Sequence, residues 1–279
     1  MNNKPEKLYL DLIKKTLTYM LWPEPPQQIE NSTNSLMPFK EKVLVVLLKL
    51  LSTFNKDLKV VKEIKISKEM QENGKLWPAY AETMIGLKRL DNLQYCIEKV
   101  IEDKIEGDLI ETGVWRGGAC IFMRAVLAAY GIKNRRVFVA DSFRGLPKPD
   151  PLRYPADKGD WLYSAPYLRV SKNEVMNNFK KYDLLDEQVV FLEGWFKDTL
   201  QDKNIEKLAL IRLDGDMYSS TIEVLNSLYP KLSIGGFCVI DDYGCLETCR
   251  KAVDDYRRKY DITADLITID WTGRYWRKE

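Results

Sequence analysis

The stretch GDLIETGVWRGGACIFMRAVL, residues 107–127, reads as strand, glycine turn and helix in immediate succession. Gly107 to Glu111 is a short apolar run; Gly113, Gly117 and Gly118 punctuate the turn; from Ala119 to Tyr130 apolar residues recur at helical spacing. Glycines let the chain turn tightly and bring backbone close to a ligand, and the N–H groups that open a helix suit an anionic group. The spacing, ExGxxxGG, differs from the GxGxxG pyrophosphate fingerprint and fits an aminocarboxylate better. On residues alone, glycines serving only the turn are the competing explanation.

Working outward, short β-branched runs alternate with longer helical patterns from Gly86 onward. The expected strands are Gly107 to Glu111, Arg136 to Asp141, Gln188 to Glu193, Leu208 to Asp214 and Gly236 to Asp241, with a further pair within Ile267 to Trp276. Helices are expected over Ala119 to Tyr130, Lys172 to Phe179, Ser220 to Leu228 and Leu246 to Tyr260. That alternation predicts an α/β fold with a mostly parallel, doubly wound, Rossmann-like sheet, whose ligands sit at the carboxyl ends of the strands. Residues 1–75 carry no strand–glycine–helix unit. They read as an N-terminal helical extension, a lid, oligomerisation arm or cap, with an amphipathic helix near Leu8 to Leu21, the turn-rich WPEPPQQIENSTNS and an apolar helix over about 40–54. Residues 76–279 form the main domain in this reading.

Each strand end then carries a candidate group. Asp141 and Ser142 follow the second strand, where an acidic side chain can accept hydrogen bonds from a ribose diol or cap a turn. Gly194 and Trp195, with Phe196, follow the third, placed to flank an adenine ring or to pack in the core. The fourth strand ends at Asp214, in LDGDMY, and the fifth at Asp241 and Asp242, in VIDDYG. Carboxylates gathered at neighbouring strand tips repel one another unless a proton or a cation intervenes. With oxygen ligands only, the cation is Mg²⁺ or Mn²⁺ before zinc. The alternative is that these aspartates cap helices or pair with Arg212 and Arg250.

Bulk properties narrow the class. The 43 basic against 41 acidic residues leave a net charge of +2, too balanced for a general nucleic-acid or membrane-surface binder, so the expected partner is a small molecule. Five cysteines without CxxC pairing suggest neither a zinc site nor a disulfide scaffold and fit a cytoplasmic location. The N-terminus bears charges within its apolar stretch, unlike a signal peptide, and no apolar run approaches the ~20 residues of a membrane span. There is no histidine, which excludes every scheme with a histidine base or ligand.

The motifs GDLIETGVWRGGACIFMRAVL, VADSFRGLP, FLEGWFKDTL, IRLDGDMYSST, LYPKLSIGGFCVIDDYG and CRKAVDDYR, in that order, resemble the macrocin O-methyltransferase family of bacterial secondary metabolism, over about residues 92–276. The resemblance implies a class I methyltransferase fold, S-adenosylmethionine as cofactor and Mg²⁺ on Asp214, Asp241 and Asp242. It places the cofactor at Glu111, Gly113, Asp141 and Ser142, and a lid over about 148–170; Thr112, Gly194, Trp195 and Asp214 complete the expected cofactor-binding set. In the family a histidine after a Gly-Asp pair in that lid is the proposed base; here the stretch is Gly159-Asp160-Trp161-Leu162-Tyr163. Either Asp160 or Tyr163 then takes the proton, or the metal lowers the hydroxyl's pKa enough for water or an aspartate such as Asp214. The expected activity is methylation of a hydroxylated secondary metabolite, a sugar or else a polyketide or peptide hydroxyl, by a homodimer or larger homo-oligomer. A catalytically silent cofactor-binding or scaffold protein is the rival of another class.

Overall fold

In the computed structural model the described residues are 4–23, 27–28, 43, 46–47, 61–62 and 66–279. A two-residue antiparallel pair, β1 (Gln27–Gln28) and β2 (Val61–Lys62), stands apart from the main sheet. That sheet is built from β3 (Asp108–Thr112), β4 (Val137–Asp141), β5 (Val189–Glu193), β6 (Leu208–Leu213), β7 (Leu232–Ile240), β8 (Ile267–Thr268) and β9 (Arg274–Arg277), in the order β5-β4-β3-β6-β7-β9-β8. The first five run parallel, whereas β9 is antiparallel to both of its neighbours.

Alternation along the strands sends successive side chains to opposite faces. Leu109, Val137 and Val139 enter one core; Ile110, Phe138 and Ala140 enter the other. The first face is covered by α1 (Pro5–Leu17), α3 (Leu87–Glu102) and α4 (Gly118–Ala129), and the second by α7 (Tyr218–Leu228) and α8 (Glu247–Lys259). Further helices among the described residues include α2 (Lys68–Asn73), α5 (Lys172–Lys181) and the short α6 (Phe196–Thr199).

The expected strands and helices of the sheet region appear within a few residues of their bounds, and the terminal pair forms as β8 and β9. Helix α3 was not among the expected elements, although Leu90, Leu93, Ile97 and Val100 follow helical spacing and are buried. The first amphipathic helix also exists, and Leu10, Ile13 and Leu17 sink into the first core against α4. Burying each such side chain contributes ~1.5–3 kcal/mol, so α1 is part of the packed body. The turn-rich 22–35 and the apolar helix over 40–54 fall largely outside the described residues; Val43, Val46 and Leu47 are helical. No helix among the described residues is long and apolar enough to cross a membrane.

Register prepares the site. Thr112 pairs with Ala140 and Leu213, and Leu213 with Ile240, so the strand ends lie level and the next residues stand side by side. Backbone bonds carry the ladder one step further: Asp214 N–H donates to Thr112 at 2.9 Å and Asp241 N–H to Leu213 at 2.9 Å.

Candidate active site

A cavity of about 340 Å³ opens at these strand ends. Of the residues expected to hold a cofactor, Gly113, Asp141, Ser142, Gly194, Trp195 and Asp214 form its wall. Gly113 is obligatory: at φ +83° a Cβ there would lie 1.7 Å from the Asp214 carbonyl oxygen. The reason is thus the neighbouring strand, and the bare backbone that results is what faces the cavity. Asp141 accepts from Val114 N–H at 2.8 Å and Phe143 N–H at 2.7 Å, which fixes the glycine turn to its own strand end. Burial raises its pKa, and those amides oppose the rise. Trp195 lines the cavity, while Phe196 does so and also packs on the second core.

Glu111 and Thr112 lie behind the wall. Glu111 is 2% exposed, paired with the Arg212 guanidinium and accepting from the Cys120 thiol at 2.8 Å. Burial pushes its pKa up to about 7 although Arg212 pulls it down. Thr112 is fully buried. Arg212 goes on to donate to Asp214 at 2.8 Å and to Asp241, and Asp241 is gripped from its other side by Arg89. Arg89, delivered by α3, also faces Asp270 at 3.1 Å.

The three aspartates that the sequence reading gathered are therefore divided. Asp214 and Asp242 do come together, but with Asp216: ligand oxygens of these three all lie within 4.8 Å of one another. Asp241 directs both its oxygens to arginines. Among the described residues neither Asp216 nor Asp242 has an ion pair, and Asp242 Oδ2 is buried with no hydrogen bond. Burial followed by mutual repulsion raises Asp214 to about 6, Asp216 to about 8, and Asp242 well above the ordinary carboxylate range. An orphaned carboxylate oxygen beside two more carboxylates is a donor set that suits a hard divalent cation. Asp216 stood in the quoted motif without a role; its spacing two residues after Asp214 was the available signal.

The segment 148–170 covers the cavity through three short 3₁₀ turns, at Pro155–Asp157, Leu162–Ser164 and Pro166–Leu168. It contributes Lys148, Asp150, Arg153, Tyr154 and Leu168 to the wall. Asp160 and Tyr163, the residues expected near the acceptor's proton, are half-buried and lie outside that lining. Burial raises the Asp160 pKa, and its charge adds to the rise at Asp216.

Five parallel strands, an antiparallel seventh inserted beside them and a cavity at the carboxyl ends behind a glycine turn define a class I, S-adenosylmethionine-dependent methyltransferase. The family model described as macrocin O-methyltransferase (TylF) matches residues 6–278. The chain belongs to that family and is an S-adenosylmethionine-dependent O-methyltransferase. It is 44% identical over 277 residues to demethyldecarbamoylnovobiocin O-methyltransferase of Streptomyces niveus, covering 99% of this chain and 95% of the relative. It is 48% identical over 222 residues to mycinamicin III 3''-O-methyltransferase of Micromonospora griseorubida, covering 78% and 87%. The solved structure of the O-methyltransferase NovP superposes with a TM-score of 0.82 at 43% identity, covering 98% of this chain and 99% of that one.

Proposed function

We propose that this enzyme methylates a hydroxyl of a glycosylated natural product with the help of a divalent cation, Mg²⁺ before Mn²⁺, held at the tips of β6 and β7. The observation that carries the cation is the Asp214, Asp216 and Asp242 cluster, with its orphaned Asp242 oxygen, on the edge of the cofactor cavity. The sugar acceptor rests on relatives: one acts on mycinamicin III, and another, 45% identical over 278 residues, methylates the 4' position of a rhamnosyl-tetracenomycin in Streptomyces olivaceus. A polyketide or peptide hydroxyl is the alternative, to which the exposed Trp161 of the lid gives an apolar surface.

S-adenosylmethionine, when bound, would supply an electrophilic methyl group for the acceptor oxygen, and the acceptor's proton would have to be taken up by the chain or by water. When bound, the cation acts as a Lewis acid that makes the acceptor hydroxyl more acidic. The chain's own work is orientation and proton removal. Gly113, Asp141, Ser142, Gly194 and Trp195 hold the cofactor, with Glu111 and Thr112 bracing the wall from behind. Positioning of this kind is worth ~7–11 kcal/mol in favourable cases. Asp214 and Asp242 belong to both candidate ligand sets; the third member is Asp216 by the geometry seen and Asp241 by the resemblance. That choice also assigns the proton. A ligating Asp216 leaves the lid's Asp160, with Tyr163 beside it, as base, whereas a ligating Asp241 leaves Asp216 free to accept it.

Asp242→Ala is expected to abolish turnover with any acceptor found by mass-shift screening while S-adenosylmethionine still binds by calorimetry. Undiminished turnover after chelation rejects the cation. Mg²⁺ titration of Asp216→Asn against Asp241→Asn identifies the third ligand as the one whose loss weakens binding more.

A further inference from the structure

We propose that Asp157 is a positioning residue: it caps helix α7 from outside that helix, and so ties closure of the 148–170 segment over the cofactor cavity to the placement of the Asp214–Asp216 loop. Helix α7 starts at Tyr218, and its own N-cap residue, Met217, has no side-chain oxygen to offer. Its first N–H groups are satisfied instead by the covering segment. Tyr218 N–H donates to Asp157 Oδ1 at 2.7 Å and Ser219 N–H to Oδ2 at 3.0 Å. Asp157 is 0% exposed. A carboxylate with both oxygens on amides at a helix N-terminus gains the capping bonds and the favourable end of the helix dipole together. Because 61 residues separate Asp157 from Tyr218, this cap exists only while the segment is down.

A second hold reaches the same helix. The Tyr154 hydroxyl donates to Glu223 Oε1 at 3.2 Å, and its ring lies 6.1 Å from that of Tyr218. The far end of the segment is fastened elsewhere: Tyr167 donates its hydroxyl to Pro78, and its carbonyl accepts from Trp115 Nε1 at 2.9 Å. Asp157 and Tyr154 are therefore the fastenings on the α7 side, and Asp157 bears on a helix that begins two residues after Asp216. Asp216 itself sits at φ +58°, a strained position for a non-glycine, held by Thr248 Oγ1 donating to its carbonyl at 3.0 Å. Lifting the segment uncaps the helix into which that strained turn leads.

The inference rests on the cofactor cavity and not on the cation, so its test reads product release and proteolysis in the full-length enzyme. Release of S-adenosylhomocysteine is followed by tryptophan fluorescence, since Trp115 and Trp195 line the cavity. Trypsin is applied with S-adenosylhomocysteine bound, reading cleavage after Arg153 and Lys158. Asp157→Ala is expected to release product roughly tenfold faster, the change that ~1.4 kcal/mol of lost closure energy gives, and to be cut first at those two sites. Asp157→Asn, which keeps one acceptor oxygen, falls between, and Tyr154→Phe shows a smaller shift in the same direction. Wild-type release and resistance in Asp157→Ala overturn the proposal. So does cleavage spread along the whole chain with Asn no better than Ala, because that pattern marks a general fold role. Should Asp157→Ala not fold, unchanged release in both Asp157→Asn and Tyr154→Phe overturns it equally.

Discussion

At the carboxyl ends of β6 and β7 two sets of carboxylates lie side by side. Glu111, Asp241 and Asp270 surround Arg89 and Arg212, all of them nearly buried. Asp214, Asp216 and Asp242 form the other set, and of these only Asp214 touches a guanidinium. Every carboxylate of the first set meets a guanidinium, and these pairs brace the sheet edge. In the second, Asp216 and Asp242 have no ion pair among the described residues, at the rim of a cavity where a mobile ion can supply the missing charge. Under the proposed function, what separates the two sets is what neutralises each carboxylate, a guanidinium of the fold or a bound cation. It also predicts that removing an arginine destabilises the first set, and that removing a carboxylate charge relieves the second.

The largest effect belongs to Arg212. Replacing it with leucine leaves Glu111 and Asp241 buried with a partner missing, and breaking a buried pair in this way costs about 3–5 kcal/mol. Urea denaturation measures it, and a loss below about 1 kcal/mol removes the brace from the comparison. Asp242→Asn is the opposite case. Without divalent cation the variant is expected to melt above the wild type, because a buried charge without an ion pair is gone, while turnover is lost. A lower melting temperature in chelator would mean that Asp242 is neutralised by the fold after all.

The next effect is pH dependence. Burial and then like-charge neighbours raise Asp214 from 3.8 to about 6 and Asp216 from 3.8 to about 8. A raised carboxylate pKa means that the folded state binds the proton more tightly than the unfolded one. Stability in chelator therefore falls as pH climbs from about 4 to about 8. Mg²⁺ is expected to raise the melting temperature more at pH 8 than at pH 5, by the linkage of a ligand that binds the folded state. Asp216→Asn should remove the upper part of the fall. A melting temperature in chelator that rises across this interval breaks the comparison.

Much of this edge was readable in the chain. The glycine turn after β3, the acidic residue ending β4 and the aspartates ending β6 and β7 all follow from strand patterns, and parallel register then brings the tips level. What could not be read is which carboxylate meets which cation. Asp241 and Asp242 are adjacent, and they part company because Arg89 reaches Asp241 from α3, an element that strand-centred reading passed over. Asp216 offered only its spacing from Asp214, because its positive φ is a property of the folded turn and not of composition. Asp157 was hidden for a different reason: it caps a helix sixty residues away, and the only local hint is a methionine where a capping oxygen belongs.

The smallest effect tests the brace from within. Glu111 is drawn up to about 7, so its charged form is disfavoured by burial more than Arg212 favours it. The folded protein consequently binds this proton in preference to the unfolded chain between about pH 4.5 and 7, and stability declines over that interval. Glu111→Gln keeps the shape and an acceptor for Arg212 but removes the titration. Arg212 still faces Asp214 and Asp241, so it is not left uncompensated. The expected cost near pH 7 is therefore no more than the ~0.5–1.5 kcal/mol of one hydrogen bond, together with a flatter stability profile from about pH 4.5 to 7 by denaturant titration. A loss as large as that of Arg212→Leu would show that Glu111 must be ionised to hold the arginine. Its charge would then be one that the fold requires, as is expected for Arg212, and the pKa rise at Glu111 would not describe its state beside the arginine.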